Sequence, residues 1–354
     1  MKIVLLYNQK PTCDGSGPQA PDTYAEWDTP QTIQAVAQAL GQRYEVVALD
    51  CGLAELPGLV SRLISEQPDI CFNMVEGMGA PSREAQVPAL LEMLGLRYTA
   101  SDVLTLATTL DKARTKEILA AHLVPTADSW LVRTPSELPT LLAKNPPFPL
   151  IVKPIHEGSS KGIFERSVVG SEADLLRQVC EVTDSYGQPA LVEAFLPGRE
   201  FTVALLGNGA AVEVLPIVEI LFDHLPKDCK HIYSYEAKWL WDVPSQPVEV
   251  FQCPAKLDPV LQTEIETLCR RAYHALRCRD WARIDLRLDA AGRAHVLEIN
   301  PLPGILPDPA EHSCFPLAAR TAGLDYAQLI NRVLDVALLR YGLLPVAETT
   351  MKPD

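Results

Sequence analysis

Two carboxylates and an amide recur on one stretch of the chain, with an arginine beside them. They lie in WARIDLRLDAAGRAHVLEINPLPG, Trp281 to Gly304. Side chains alternate along a strand, so Trp281, Arg283, Asp285 and Arg287 share one face and Ala282, Ile284, Leu286 and Leu288 the other. Asp289 to Arg293 reads as a turn, with Gly292 supplying a permissive backbone. On the return strand, Ala294 to Asn300, Glu298 and Asn300 share one face and Leu297 and Ile299 the other. Pairing of the two strands brings Asp285, Glu298 and Asn300 together beside Arg283. Two carboxylates and an amide carbonyl suit magnesium, a hard cation that keeps oxygen ligands and shares them with phosphates. An arginine next to such an ion suits a transition state that gains negative charge. An ordinary hairpin with a solvated polar face has the same pattern, so other phosphate-handling features must decide.

Those features stand upstream. EGSSKG, Glu157–Gly162, sets two hydroxyls and a lysine between glycines, and the flanking residues 149–154 and 163–168 read as strands. Such a loop can turn backbone N–H groups and hydroxyls toward phosphate oxygens. Lys153 lies just before it, and Lys112 opens a helix running to about His122; both add point charges. A plain hairpin turn is the alternative, and the clustering of cations favours a phosphate site. Neither the GxGxxG fingerprint nor a Walker A loop is present.

The elements that must carry these residues follow from pattern. Residues 1–99 alternate strand and helix: strands at Ile3–Tyr7, Tyr44–Leu49 and Ile70–Asn73, helices from Thr29-Pro30, over 58–66 and over Glu84–Leu94. Alternation of this kind predicts a parallel sheet covered by helices. The connection Asn8–Asp28 is long, polar and ends near Glu26, which marks it as functional. A second unit, 100–190, has a strand at Trp130–Arg133, a helix over Pro135–Ala143 capped by Thr134, and a strand at Leu150–Pro154. A third, 191–346, has strands either side of Pro197-Gly198, a strand over Val212–Ile220, an irregular lid segment over 222–247, a strand at Val248–Gln252, an amphipathic helix over Leu261–Leu276 and a closing helix near 325–340. A tail, 347–354, follows. The expected class is α/β and α+β in three domains.

Composition sets limits. The chain has 354 residues, of which 47% are apolar and 21% charged, a soluble globular balance. A formal net charge of −14 argues against nucleic acid or an anionic membrane as partner. Nine scattered cysteines without CxxC spacing predict reduced, mostly buried thiols and a cytoplasmic setting. The apolar run at the N-terminus is too short for a signal peptide, and no run reaches the ~18 residues of a membrane span.

Taken together these blocks resemble the ATP-grasp ligases, and among them the D-alanine–D-alanine ligase family. The resemblance covers about residues 1–342. It rests on YTASDVLTLATTLDKARTK at 98–116, VKPIHEGSSKG at 152–162, LVEAFLPGREFTV at 191–203, YEAKW at 235–239, RIDLRLD…VLEINPLPG at 283–304 and HSCFPLAAR at 312–320. It implies a three-domain ATP-grasp fold that uses ATP and two magnesium ions on small amino-acid substrates, as a homodimer. It further implies that Lys112, Lys153 and, from the lid, Lys238 hold phosphates, with Glu157, Ser159 and Ser160 in the loop that closes over them. Glu193 and the Leu196 backbone would meet the adenine, and Glu200 the ribose. Asp285, Glu298 and Asn300 would be the metal ligands. Arg283 and the Gly304 N–H would form the oxyanion site. Ser313 and the Cys314 N–H would anchor the second substrate's carboxylate, and Glu26 the first substrate's amine.

Three departures surround one pocket. The dipeptide ligases carry histidine where this chain has Glu76, tyrosine or phenylalanine where it has Trp239, and a shorter loop between Gly304 and Ser313. They point to a changed substrate. Three functions are therefore in view: a ligase joining an amino-acid amine to a carboxylate, a ligase attaching an amino acid to a non-peptide core such as a mycosporine, and a non-catalytic ATP-binding regulator.

Overall fold

The structure, a computed structural model, describes residues 1–11, 24–52, 54–222, 232, 250–311 and 313–344. Lys238, Trp239, nearly all of the expected lid and the 347–354 tail lie outside the described residues.

The chain opens with β1 (Lys2–Tyr7), α1 (Pro30–Gly41), β2 (Glu45–Asp50), α2 (Leu56–Glu66), β3 (Ile70–Asn73) and α3 (Arg83–Met93). The strands form a parallel sheet in the order β2-β1-β3. The Thr29 hydroxyl accepts from the Thr32 N–H at 3.2 Å, and Pro30 occupies the first turn, where its missing donor costs nothing. Gly95, at φ +67°, ends the turn after α3.

Next come α4 (Val103–Leu110), α5 (Lys112–Ala121), β4 (Ser129–Val132), α6 (Leu138–Leu142), β5 (Leu150–Pro154), β6 (Val168–Val169), α7 (Glu172–Tyr186) and β7 (Ala190–Ala194). Their strands form an antiparallel sheet, β4-β7-β5-β6. Two expectations change here. The helix expected over 135–143 begins as a 3-10 turn, because Pro139 has no N–H to return to the Pro135 carbonyl. Thr134 does not cap it; its hydroxyl sits 2.7 Å from the Ser136 hydroxyl. The strand expected at 163–168 is instead a 3-10 turn, in which the Phe164 N–H bonds the Ser167 hydroxyl at 3.0 Å, and only Val168–Val169 pairs with β5.

The third set is β8 (Glu200–Leu206), β9 (Glu213–Val214), β10 (Val218–Ile220), β11 (Phe251–Gln252), α8 (Pro259–Ala275), β12 (Trp281–Leu288), β13 (Ala294–Asn300), α9 (Cys314–Thr321) and α10 (Tyr326–Arg340). Its sheet runs β11-β10-β8-β12-β13, with β9 added to β8. The single strand expected over Val212–Ile220 is broken at Pro216, which cannot donate to a ladder.

One core ties the first sheet to the third. Trp281, at the start of β12, packs edge-on against Phe72 of β3 and Phe315 of α9, with ring centroids 6.1 and 5.5 Å away. The same cluster includes Val36 and Leu40 of α1 and Ile330, Val333 and Leu334 of α10. Beside it, the fully buried Asp280 accepts from Arg340 at 2.7 and 2.9 Å, from the Ala100 N–H at 2.9 Å and from Asn208 at 2.8 Å. A buried carboxylate with four such donors is satisfied, and it ties the residue before β12 to α10.

Candidate active site

β12 and β13 pair antiparallel, with Arg283 opposite Asn300 and Asp285 opposite Glu298. The register then shifts: Leu286 pairs with Val296, so Leu297 is the extra residue of a β-bulge. The bulge overturns one expectation. Val296 and Ile299, not Leu297 and Ile299, are the buried core residues, while Leu297 turns into the cavity with Glu298. Without that extra residue, strict alternation would put Leu297 on the core face.

Around Asp285 the contacts are close. Arg283 forks onto it, Nε to Oδ1 at 3.0 Å and Nη2 to Oδ2 at 2.8 Å. The Thr202 hydroxyl, from β8, donates to Oδ1 at 2.6 Å. The Asn300 amide lies 3.3 Å from Asp285 Oδ2 and 3.4 Å from Glu298 Oε1. Burial pushes Asp285 above the usual carboxylate range, the Glu298 charge adds to this, and Arg283 opposes it. Burial also acts against ionised Glu298, but Lys112, Arg283 and Lys153 outweigh it and hold its carboxyl down at about 2.

All of these groups line one cavity of about 320 Å³, with Lys112, Lys153, Glu193 and the 157–160 loop on its walls. Lys112 heads α5, capped by Asp111, and its ammonium reaches the Glu157 carbonyl and Glu298 Oε2, the latter at 3.5 Å. Lys153 on β5 and Lys116, one turn beyond Lys112 on α5, both grip Glu193 of β7, at 2.9 and 3.1 Å. All three are buried. Burial would raise the Glu193 pKa, but the two ammonium groups hold it below its ordinary value. Lys153 stays above its ordinary value because Glu193 outweighs the desolvation.

The 157–162 loop is strained. Ser159 and Ser160 both take left-handed backbone, φ +50° and +60°, which costs non-glycine residues about 1 kcal/mol or more each. The loop borders the cavity, where its backbone and hydroxyls can meet an anion. At the opposite wall, Arg287 of β12 reaches Glu200 of β8 at 2.8 Å, with its guanidinium over the rings of Phe195 and Phe222. Leu196 lines the same wall.

Glu26 follows a different pattern from the one its position suggested. Arg83 of α3 binds both its oxygens at 2.9 and 3.0 Å, Lys161 reaches it at 2.7 Å, and the Gly158 N–H donates at 3.0 Å. Burial would raise its pKa, but Arg83 and Lys161 lower it. Glu76 lines the cavity nearby, with Glu84. The Ser313 hydroxyl donates to the Gly304 carbonyl at 2.9 Å and accepts from the Leu306 N–H, so it pins the loop that carries Gly304. Gly304, Ser313 and Cys314 line the cavity.

Every site residue expected from the sequence and lying among the described residues thus borders one cavity. Glu84, Thr202 and Arg287 join them, while Arg83 and Lys116 bind the wall carboxylates Glu26 and Glu193; none of the five was singled out. Lys116 could have been found, since it stands four residues after Lys112 and so on the same helix face. Arg287 could too, two positions beyond Asp285 on one strand. Nothing local marks Arg83 or Glu84.

The family model described as the D-ala D-ala ligase C-terminus matches residues 120–335. The D-alanine–D-alanine ligase of Stutzerimonas stutzeri is 34% identical over 306 residues, 86% of this chain and 87% of that protein. The chain belongs to the D-alanine–D-alanine ligase family. It is a D-alanine–D-alanine ligase-like, ATP-dependent ligase; neither the mycosporine-type nor the non-catalytic reading is favoured. Within the family, an uncharacterized protein of Sinorhizobium fredii, y4sG, is 37% identical over 329 residues, 92% of this chain and 91% of that one. The fold is shared with the crystal structure of the Bacillus anthracis D-alanine–D-alanine ligase complexed with ATP, at TM-score 0.69 and 21% identity over 97% of this chain and 99% of that one. That likeness makes the fold ATP-grasp. Among the described residues no helix is long and apolar enough to cross a membrane.

Proposed function

We propose that this ligase is ADP-forming and joins an amino-acid amine to a carboxylate through an acyl phosphate. The observation that carries the reading is the meeting of Arg283, Asp285, Glu298 and Asn300 with Lys112 and Lys153 around one cavity. In the first step a carboxylate oxygen of one substrate takes the terminal phosphoryl group of ATP, and ADP leaves. In the second the amine nitrogen bonds to the acyl carbon, the carbon–oxygen bond to phosphate breaks, and the amine proton goes to solvent.

The residues divide by position. Lys112 and Lys153 would neutralise phosphate charge, joined by Lys238, while Glu157, Ser159, Ser160 and the loop backbone close over it. Glu193 and the Leu196 backbone would face the purine amine and ring, and Glu200 the ribose hydroxyls. Arg283 and the Gly304 N–H would hold the oxyanion. Ser313 and the Cys314 N–H would take the second substrate's carboxylate. Glu26, Glu76 and Trp239 would border the first substrate.

Magnesium fits the donor set. Among the described residues no three His, Cys, Asp or Glu side chains gather as a metal site. Instead two facing carboxylates and an amide do, which is hard-oxygen chemistry. Lys112 and Arg283 favour the charged form of Glu298, and the repulsion it exerts on Asp285 is what a divalent cation would offset. Two ions held by Asp285, Glu298 and Asn300 would shield phosphate charge during transfer.

We also read the chain as three units, 1–99, 100–190 and 191–346, working as a cytoplasmic homodimer. Phosphate release from ATP, screened against amino acids singly and in pairs with magnesium, tests the function. Release that requires an amino acid supports it; release under no combination overturns it.

A further inference from the structure

Two carboxylates in this cavity have no partner. Glu84 of α3 is 8% exposed, lines the cavity, and makes no hydrogen bond or ion pair with any described residue. Glu76 makes none either; it borders both the main cavity and a small recess that it shares with Glu26, Asp28, Trp281 and Gly304. The cations nearby are already engaged. Arg83 and Lys161 are tied to Glu26, and Lys161 also reaches Glu157 at 2.5 Å. Lys10 faces Asp28. An ionised carboxylate accepts hydrogen bonds and donates none, so two of them turned into one desolvated space call for a positive group between them. Burial pushes both above the usual carboxylate range, Glu76 with the Glu84 charge adding to it and Glu84 to about 7, where burial and the Glu26 charge outweigh Arg83.

Lys112 is engaged as well, at the Glu157 carbonyl and at Glu298 Oε2, 3.5 Å away. A neutral amino acid enters as a zwitterion and adds no net charge. A diamino acid brings one further positive charge, and Glu76 and Glu84 on the cavity wall are the carboxylates open to receive it.

We propose that the first substrate is a basic amino acid, a diamino acid whose second ammonium is held between Glu76 and Glu84. The proposal rests on the ligase reading above. Glu76 and Glu84 are specificity residues for the cationic side chain, while Glu26, saturated by Arg83 and Lys161, fixes the 157–162 loop over the site.

The test compares 2,3-diaminopropionate, 2,4-diaminobutyrate, ornithine and lysine, of either hand, with D- and L-alanine. Phosphate release from ATP is read for the full chain. At least one diamino acid should show a KM at least tenfold below that for either alanine. Glu76→Gln and Glu84→Gln should each raise that KM tenfold or more and change kcat less than threefold. Both substitutions remove an unpaired charge, so both variants should melt no lower than the parent chain. Alanine serving as well as every diamino acid, or variants that shift KM equally for both, overturns the proposal. Should no amino acid support phosphate release, the ligase reading falls separately. Calorimetric titration of diamino acids into the ADP-bound protein then decides: binding lost in Glu76→Gln keeps the cation site, and no binding overturns it.

Discussion

Arg283 and Asp285, two positions apart on β12, are joined side by side, the guanidinium spanning both carboxylate oxygens at 2.8 and 3.0 Å. A strand turns residues of this spacing to one face, and pairing with β13 adds Glu298 and Asn300 to that face. The hairpin therefore puts a fixed positive charge next to two carboxylates before any ligand enters. In a desolvated site such preorganisation is worth more than the same contacts in water.

Replacing Arg283 should expose both of its roles. Arg283→Ala removes an oxyanion donor, worth about 3 kcal/mol, and should lower turnover roughly a hundredfold or more. Arg283→Lys keeps the charge but loses the fork and should recover little. Steady-state phosphate release with a working substrate pair checks this, and near-normal turnover in the alanine variant would remove Arg283 from the mechanism.

Glu193 bridges Lys116 and Lys153 with almost no exposure. Glu193→Gln would remove the carboxylate that both buried ammonium groups bind directly, at a cost of about 3–5 kcal/mol. Denaturant melts should show a midpoint shift of that size. Adding Lys116→Met to Glu193→Gln should recover part of the loss, because it removes one of the two buried ammonium groups that Glu193 held.

The two kinds of carboxylate give opposite responses to pH. Glu84 has its folded pKa raised from 4.5 to about 7, so its contribution is fully present below about pH 4.5 and is lost as pH rises toward 7. Glu298 is lowered to about 2, so its contribution is present above about 4.5 and is lost as pH falls toward 2. Stability without ligand should therefore decline from about pH 5 to pH 8, and Glu84→Gln should flatten that decline. Thermal melts across the range decide it; a Glu84→Gln curve parallel to the parent's would show that Glu84 is not the group responsible.

Gly158 lies under Glu26: a Cβ there would collide with Glu26 Oε1. That oxygen is fixed by Arg83 and by the Gly158 N–H itself, so it cannot swing aside cheaply. Gly158→Ala should displace the loop and raise the KM for ATP several-fold, with a small change in the melting midpoint. An unaltered KM would mean that the Glu26 contact does not hold the loop.

Much of this could be read from the chain, for reasons that can be stated. Alternation marked the face that carries Arg283 and Asp285, since a strand has no other way to place them. The Thr29-Pro30 pair marked the start of α1. What alternation could not show was the bulge at Leu297, because an inserted residue changes the face without changing residue type. Nor could it show that Pro216 and Pro139 would break or delay their elements, though both prolines were visible. Arg83 escaped notice because its partner Glu26 stands 57 residues away, and Glu84 because it pairs with no described residue. Long-range pairing of charges leaves no local period to read.

The central claim is that a substrate carboxylate accepts the phosphoryl group. Labelling that carboxylate with oxygen-18 and analysing the released phosphate by mass spectrometry tests it most directly. The mechanism predicts one label atom in each phosphate formed; phosphate carrying no label, at a rate matching product formation, would contradict it.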